Sequence, residues 1–520
     1  MNYFDLTGTK AFRKLSAYYG KRPDLKALLT PDAIRTYVVQ AGKDLSFSYA
    51  GKGITPEVIK LCQDLADEQE CIDKYLSLLR GGIANKSENR SVMHHLCRGT
   101  DGLPLSDKSA EHGRFYAAEK ERFCHFADQI RAGKIQSSTG KSFDTVVQIG
   151  IGGSGLGPKA LYEALELYCQ AEHVTPVLRA EFISNIDPDE GALVLSGIDP
   201  ERTLFILVTK SGTTLETLTN YAFVKEHIQE KFPDVSVEKQ TVTVTASGSP
   251  LDDESRFLKV FHIDDCVGGR FSSTGAVGGV LISIVYGKEI FSQVLSGAHY
   301  SDILALNRNV SENAALMDAL LEVIDVDIRH IPVEAVIPYS RALSTFADHL
   351  QQLCMESNGK PAPYATCPVI FSSVGTDCQH SFFQQLHQGN GEMPVEFIGF
   401  KESQLGYDTK YNGSLSQEKL NANLAAQVTA FALGQESKDK NKNFPGNRSS
   451  SMLFGTRLTP QNLGSLFAHF ENKVMFQGFL WNINSYDQEG VLLGKKLASS
   501  ALSAESSQNQ VLDSFYTLLT

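Results

Sequence analysis

Two hydrophobic periods divide the chain. Up to about residue 115, apolar positions recur every three to four residues in runs such as ITPEVIKLCQDLADEQECIDKYLSLLRGG, which predicts a helical layer with few strands. From about residue 143, short β-branched runs take over, each followed by a turn and a stretch of helical period. FDTVVQIG, AEFISNID, TLFILVTK and QTVTVTAS predict four strands, with KALYEALELY and TLTNYAFVKEHIQEKF as helices among them. A second series starts near residue 330: VEAVIPYS, CPVIFSSV and MPVEFIGF as strands, and CQHSFFQQLHQ as the helix after the turn GTD. Strands and helices alternating in this way indicate parallel sheets with helices on both faces.

The rest of the carboxyl-terminal half is less regular. GQESKDKNKNFPGNRSSS, residues 434–451, is polar and turn-rich and reads as a surface loop. Thr459-Pro460 caps a helix running to about Phe479. GVLLGKKLASSAL predicts another helix, and the tail to Thr520 an amphipathic arm. The expected division is a helical segment 1–115, an α/β domain 116–295, a second α/β domain 296–500 and a carboxyl-terminal arm 501–520.

One predicted helix carries a carboxylate of interest. In STFADHLQQLCMESNGK, Phe346, Leu350, Leu353 and Cys354 form one apolar stripe, and Gly359 supplies a helix end. Gln352 and Glu356 are four residues apart and project from one face. The negative end of the helix dipole opposes the ionised form of Glu356, which suits a group that must take a proton and return it. From this run alone, a solvated glutamate before a helix end is the more ordinary reading.

Composition narrows the class. At 520 residues the chain exceeds one core, and 42% hydrophobic with 21% charged residues is ordinary globular protein. A net charge of -12 argues against a general nucleic-acid binder while leaving room for a local basic pocket. No apolar run is long enough to span a bilayer, and MNYFDLTGTKAFRKLS lacks the apolar core of a signal peptide, so a cytoplasmic protein is expected. Nine scattered cysteines without a CxxC pair suggest neither a disulfide framework nor a zinc site.

Two turns carry the first chemistry. Gly150, Gly152 and Gly155 spell G-x-G-x-x-G, a pattern tied to dinucleotides, but the acidic residue that should close the next strand about 20 residues on comes late, at Asp187. Ser154 among these glycines suits a phosphate as well, since backbone N–H groups converge at a helix start. Thr209-Lys210-Ser211-Gly212-Thr213-Thr214 follows a strand and opens a helix, gathering four hydroxyls and an ammonium there. As a set they favour a phosphomonoester cradle, although any one of them could simply cap the helix.

Arg270, in GGRFSS, either caps carbonyls or stabilises an anion. His380 stands where a helix should open and can exchange protons near neutrality; His387, seven residues on, reads as structural. Gln488 and Lys495 bracket a turn and a helix start, where paired lysines would ordinarily be a solvated face.

Taken together, NKSENRSVMHHLCRG, GIGGSGLGP, TKSGTTLET, VGGRFSSTGAVG, MESNGK, GTDCQHSFFQQLHQG, FPGNRSSS and DQEGVLLGKKLA resemble the glucose-6-phosphate isomerase family, in the family's order and over most of the chain. The resemblance implies two sugar-isomerase-type α/β domains, each a parallel sheet between helical layers, wrapped by helices. It further implies a homodimer with shared active sites, a sugar phosphate as substrate, and no metal or redox cofactor. It assigns Glu356 as the base moving a proton between C1 and C2 through a cis-enediolate, and Arg270 as the cation beside the enediolate oxygen. His380, expected from the neighbouring subunit, and Lys495 would open the sugar ring. Gly153, Ser154, Thr209, Lys210, Ser211, Thr213 and Thr214 would hold phosphate, and Gln352 and Gln488 would contact the sugar. Gly155, Thr209, Glu489 and Leu492 depart from the family's usual residues. A dual isomerase also taking mannose 6-phosphate, and a silent sugar-phosphate sensor, are the alternatives. The presence of Glu356, His380 and Lys495 favours an enzyme, because a sensor needs only the cradle.

Overall fold

The computed structural model describes residues 4–21, 23–503 and 509–520. Residues 1–3 and 22 of the helical segment and 504–508 of the expected arm lie outside the described residues. The amino-terminal segment holds strands that its helical period does not announce. β1 (Val38–Gly42) and β2 (Leu45–Ser48) form an antiparallel hairpin. They are short, with only alternate positions fully buried on β2, so their signal is local and weak.

The first parallel sheet follows the predicted runs: β3 (Thr145–Ile149), β4 (Arg179–Ile183), β5 (Thr203–Val208), β6 (Thr241–Thr245) and an additional edge strand, β7 (Lys259–His262). Their order is β4-β3-β5-β6-β7, every pair parallel. Neighbouring residues of β3 face opposite layers. Val146 packs in the core that includes Leu161, while Val147 packs with Tyr221 and Val224. Leu161 belongs to helix α1 (Leu156–Ala171), and Tyr221 and Val224 to α2 (Leu215–Lys231). A strand covered on both faces has no polar side to show, and every position of β3, Gln148 included, is buried.

The second sheet is mixed rather than wholly parallel. β8 (Val333–Pro338), β9 (Val369–Ser372), β10 (Val395–Phe400) and β11 (Ser450–Gly455) are parallel, and the β1–β2 hairpin extends them antiparallel, in the order β1-β2-β11-β10-β8-β9. β11 corrects the surface-loop reading of 434–451, because the strand starts inside it, with Ser450 opposite Val395 and Met452 opposite Ser48. Again alternate residues serve two layers: Val336 and Ile398 join the main core, while Ala335, Ile337 and Phe397 pack with Leu424 and Phe431.

Between the sheets run α3 (Lys288–Leu304), α4 (Ala314–Val323), α5 (Ser344–Gln351) and the long α6 (Pro460–Trp481), capped as expected by Thr459, whose side chain accepts from Asn462 N. α3 and α6 touch through glycines: a Cβ on Gly297 would lie 1.8 Å from Gln461 O, and one on Gly464 1.9 Å from Val294 O. Lys473 of α6 is buried with four carboxylates around its Nζ, at 2.8 Å from Glu322, 2.9 Å from Glu396, 3.2 Å from Asp318 and 3.5 Å from Glu334. Lys52 extends the network to Asp325 and Glu334 at 3.0 and 3.8 Å, tying the amino-terminal segment to β8 and to the turn after α4. α7 (Leu492–Ala501) and the helix Gln510–Thr517 follow; neither has a buried residue.

Candidate active site

The carboxyl ends of β3 and β5, the loop before Arg270, the end of the Glu356 helix and the loop into α7 surround one cavity of about 680 Å³. Open α/β sheets present ligands at this end of their strands.

The glycine turn after β3 lets two loops touch. A Cβ on Gly153 would stand 2.2 Å from Gly269 O, so only glycine fits against the loop that delivers Arg270. Gly152 has φ 60 and lies beside Gln352, whose Nε2 would be 3.0 Å from an added Cβ. Ser154 ends the turn on the cavity wall, just before α1.

The turn after β5 stands at the amino end of α2, with Thr214 as its N-cap. Thr209 and Thr214 pair hydroxyls at 2.7 Å. Ser211 Oγ accepts from Thr213 N at 3.2 Å and from Thr213 Oγ1 at 3.0 Å. Thr209, Lys210, Ser211 and Thr214 line the cavity, and Thr213 sits within the same turn. The Lys210 ammonium is spoken for: Nζ donates to Asp265 O at 2.8 Å and Val267 O at 3.0 Å. Lys210 therefore fastens the Arg270 loop to this turn. Burial pushes its ammonium down, with Asp265 opposing.

The α5 helix ends differently from the sequence expectation. Instead of running regularly to a glycine cap, it widens into a turn of π-helix, Gln352–Glu356. π turns are uncommon and cluster at functional sites. Gln352 Nε2 donates 2.8 Å to Glu356 Oε2, and Glu356 Oε1 lies 3.6 Å from Arg270 Nη1.

Arg270 is 3% exposed and nearly saturated. Nε donates to Ser357 Oγ at 2.6 Å, and Nη2 to the carbonyls of Ser485 and Asp487 at 2.6 and 3.0 Å. Nη1 reaches Gln488 Oε1 at 3.3 Å. Burial pushes the guanidinium down, against Glu356 and Asp487, but arginine starts so high that it remains a cation. A cation fixed in this way can stabilise charge that develops on a neighbouring oxygen.

Gln488 and Lys495 line the cavity from the last loop and from α7, and both are solvent-exposed. His380 is apart: it closes a 3₁₀ turn, Asp377–His380, is exposed, and does not line the cavity. The helix expected to open there begins only at Phe383. His387 Nε2 donates to Gln427 Oε1 at 2.8 Å and its ring stacks on Phe431, as a packing residue would. His94 and His95 are fully buried, His94 against Phe271 and His95 bonded to Asn472 at 3.0 Å.

Several residues at the site take no individual role from the sequence: Glu88, Arg90 and Asp265 on the cavity wall, and Ser357 and Lys360 behind it, bonded to Arg270 and Asp487. Their signal was polarity within segments that otherwise pack, as for Ser357, which is fully buried.

A family model described as phosphoglucose isomerase matches residues 48–517. The chain is 48% identical over 477 residues to a glucose-6-phosphate isomerase of Treponema denticola, covering 90% of each. It is 47% identical over 521 residues to that of Treponema pallidum, covering 97% of this chain and 96% of the relative. A crystal structure of a glucose-6-phosphate isomerase from Chlamydia trachomatis matches with a TM-score of 0.93 at 40% identity, over 99% of this chain and 100% of that one.

Proposed function

The chain belongs to the phosphoglucose isomerase family, and from that premise we propose that it interconverts glucose 6-phosphate and fructose 6-phosphate, a step of glycolysis and gluconeogenesis. One observation carries the reading: Glu356 and the buried Arg270 stand 3.6 Å apart on a wall shared with a hydroxyl-lined helix start.

Isomerisation moves a proton between adjacent carbons. In the open-chain aldose, Glu356 takes the proton from C2 while charge moves onto the C1 oxygen, giving a cis-enediolate. Glu356 then returns the proton to C1, the proton of the C2 hydroxyl passes to the C1 oxygen, and the C2 oxygen becomes the ketone carbonyl. One carboxylate acting as base and then acid suffices, with Arg270 Nη1 facing the oxyanion. These transfers call for neither a metal nor an external electron acceptor. The phosphate would lie against Ser154, Ser211, Thr213, Thr214 and the N–H groups from Gly153 and Thr209–Lys210. Gln352 and Gln488 would hold sugar hydroxyls.

Ring opening requires a proton shuttle at the ring oxygen, and we assign it to Lys495 with His380. Because His380 is exposed and off this cavity, the partner's copy of it would complete each site in a cytoplasmic homodimer. We take residues 116–295 and 296–500 as the two sugar-isomerase domains, flanked by the segment 1–115 and the arm 501–520.

The test is a coupled assay of purified protein with fructose 6-phosphate, following glucose 6-phosphate with a chelator that the coupling enzyme tolerates. Turnover is expected. Sugar-phosphate binding by calorimetry without turnover would instead make the protein a sensor. Mannose 6-phosphate as an alternative substrate checks the dual-isomerase reading.

A further inference from the structure

Asp487 is 8% exposed and joins four segments. Its Oδ1 accepts from Lys360 Nζ at 2.8 Å, and its Oδ2 from Ser87 Oγ and Asn484 Nδ2, both at 2.7 Å. Its backbone carbonyl accepts a second bond from Lys360 Nζ at 2.6 Å and one from Arg270 Nη2 at 3.0 Å. Burial pushes this carboxyl up, but the Lys360 and Ser87 bonds outweigh burial and hold it below the usual carboxylate range.

Lys360 lies four residues beyond Glu356, just past the end of its helix, while Asp487 precedes Gln488 directly. The loop 484–488 also supplies both carbonyls that occupy Arg270 Nη2, so its position decides where the remaining nitrogen, Nη1, points. We infer that Lys360 and Asp487 form a clasp that sets the spacing between the base, Glu356, and the cation, Arg270, making both of them positioning residues for the isomerisation. The inference rests on the roles proposed above for Glu356 and Arg270.

Neither residue reaches the reacting atoms in this arrangement. Lys360 Nζ is committed to Asp487, and the Asp487 carboxylate to Lys360, Ser87 and Asn484. Their influence on the reaction passes through Arg270, whose Nη2 is held by the carbonyls of Ser485 and Asp487. A misplacement near 1 Å is enough to cost about 10²-fold in rate when a reacting geometry is otherwise held. Loss of the clasp therefore lowers kcat while leaving the phosphate cradle, at the other sheet, unaltered.

Lys360→Met, Lys360→Arg, Asp487→Asn and Arg270→Ala, singly and with Lys360→Met and Arg270→Ala combined, provide the test. The readouts are kcat, KM and calorimetric binding of sorbitol 6-phosphate, a substrate mimic with no carbonyl. Lys360→Met and Asp487→Asn should lower kcat by about tenfold to 10²-fold with mimic affinity within about threefold. Lys360→Arg should recover most of the loss. In the Arg270→Ala background, Lys360→Met should cost nothing further, because the clasp acts through that arginine.

Additive losses in the combined variant, or a raised KM with unchanged kcat, would overturn the clasp. If Lys360→Met fails to fold, Asp487→Asn in the Arg270→Ala background poses the same question. Full activity of Arg270→Ala would instead remove the premise, whereas an impaired Arg270→Ala beside fully active clasp variants would sink only this inference.

Discussion

Arg270 Nη1 stands 3.6 Å from Glu356 Oε1, although 85 residues lie between the two in the chain and one arrives on a 3₁₀ turn, the other on a π-helical turn. The pair is too long for a direct hydrogen bond and leaves both groups available to a third. Gln352 holds the other carboxylate oxygen at 2.8 Å, so Glu356 keeps one oxygen free to work.

Glu356→Gln preserves shape and the contact with Arg270 while removing the base. Turnover should fall by at least about 10²-fold, with binding of sorbitol 6-phosphate little changed. Steady-state kinetics with calorimetry measure both. Turnover near normal would take Glu356 out of the proton transfer.

Arg270→Ala should raise the barrier by about 3 kcal/mol, the usual scale for losing one preorganised oxyanion donor. The comparison of kcat with KM decides its role. A rise in KM alone would make Arg270 a binding residue.

Mixed dimers test whether sites are shared. His380→Ala and Glu356→Gln are each expected to be inactive, and subunits mixed under exchange conditions should regain activity because one of the two sites receives an intact set. Heterodimers that form, as seen by native mass spectrometry, but stay inactive would place His380 in its own chain's site.

These residues differ in how far sequence alone could place them. The turns after β3 and β5 were legible because each is a continuous stretch of glycine or hydroxyl residues between a strand and a helix, and the two strands because they are buried on both faces and mostly apolar. The clasp was not, since Asp487 meets its partners across 127 residues at Lys360 and 400 at Ser87. β11 was hidden for a related reason. It begins with Ser450 and Ser451, polar residues buried only because β10 and the distant β2 flank them. The π turn at Glu356 also lacks a sequence signature, because its apolar stripe fits a regular helix as well.

Lys473 illustrates a further kind of hidden residue, a charge inside an otherwise buried helix. Four carboxylates depend on its ammonium, so Lys473→Met should destabilise the fold by about 3–5 kcal/mol, the cost of leaving buried charges unpaired. Denaturant midpoints at neutral pH measure this. A midpoint unchanged from wild type would mean that the carboxyls take up protons and carry no charge to compensate.

Asp327 gives the fold a titration that can be watched directly. Burial raises its carboxyl to about 7, even though Trp481 Nε1 donates to Oδ2 at 2.6 Å and pulls the other way. The folded chain thus keeps a proton that the unfolded chain loses above about pH 4. This contribution to stability is full below that pH and is lost as pH rises through about 7. Trp481 is the chain's single tryptophan, so its fluorescence should titrate with a midpoint near 7 as the carboxylate forms beside its indole N–H. Asp327→Asn keeps an acceptor for that N–H and should abolish the titration, and its denaturant midpoint should fall less than wild type's between mildly acidic and mildly alkaline pH. A fluorescence transition that persists in Asp327→Asn would mean that another group near the indole is responsible. Equal pH slopes of stability in the two proteins would show that the proton on Asp327 is not retained on folding.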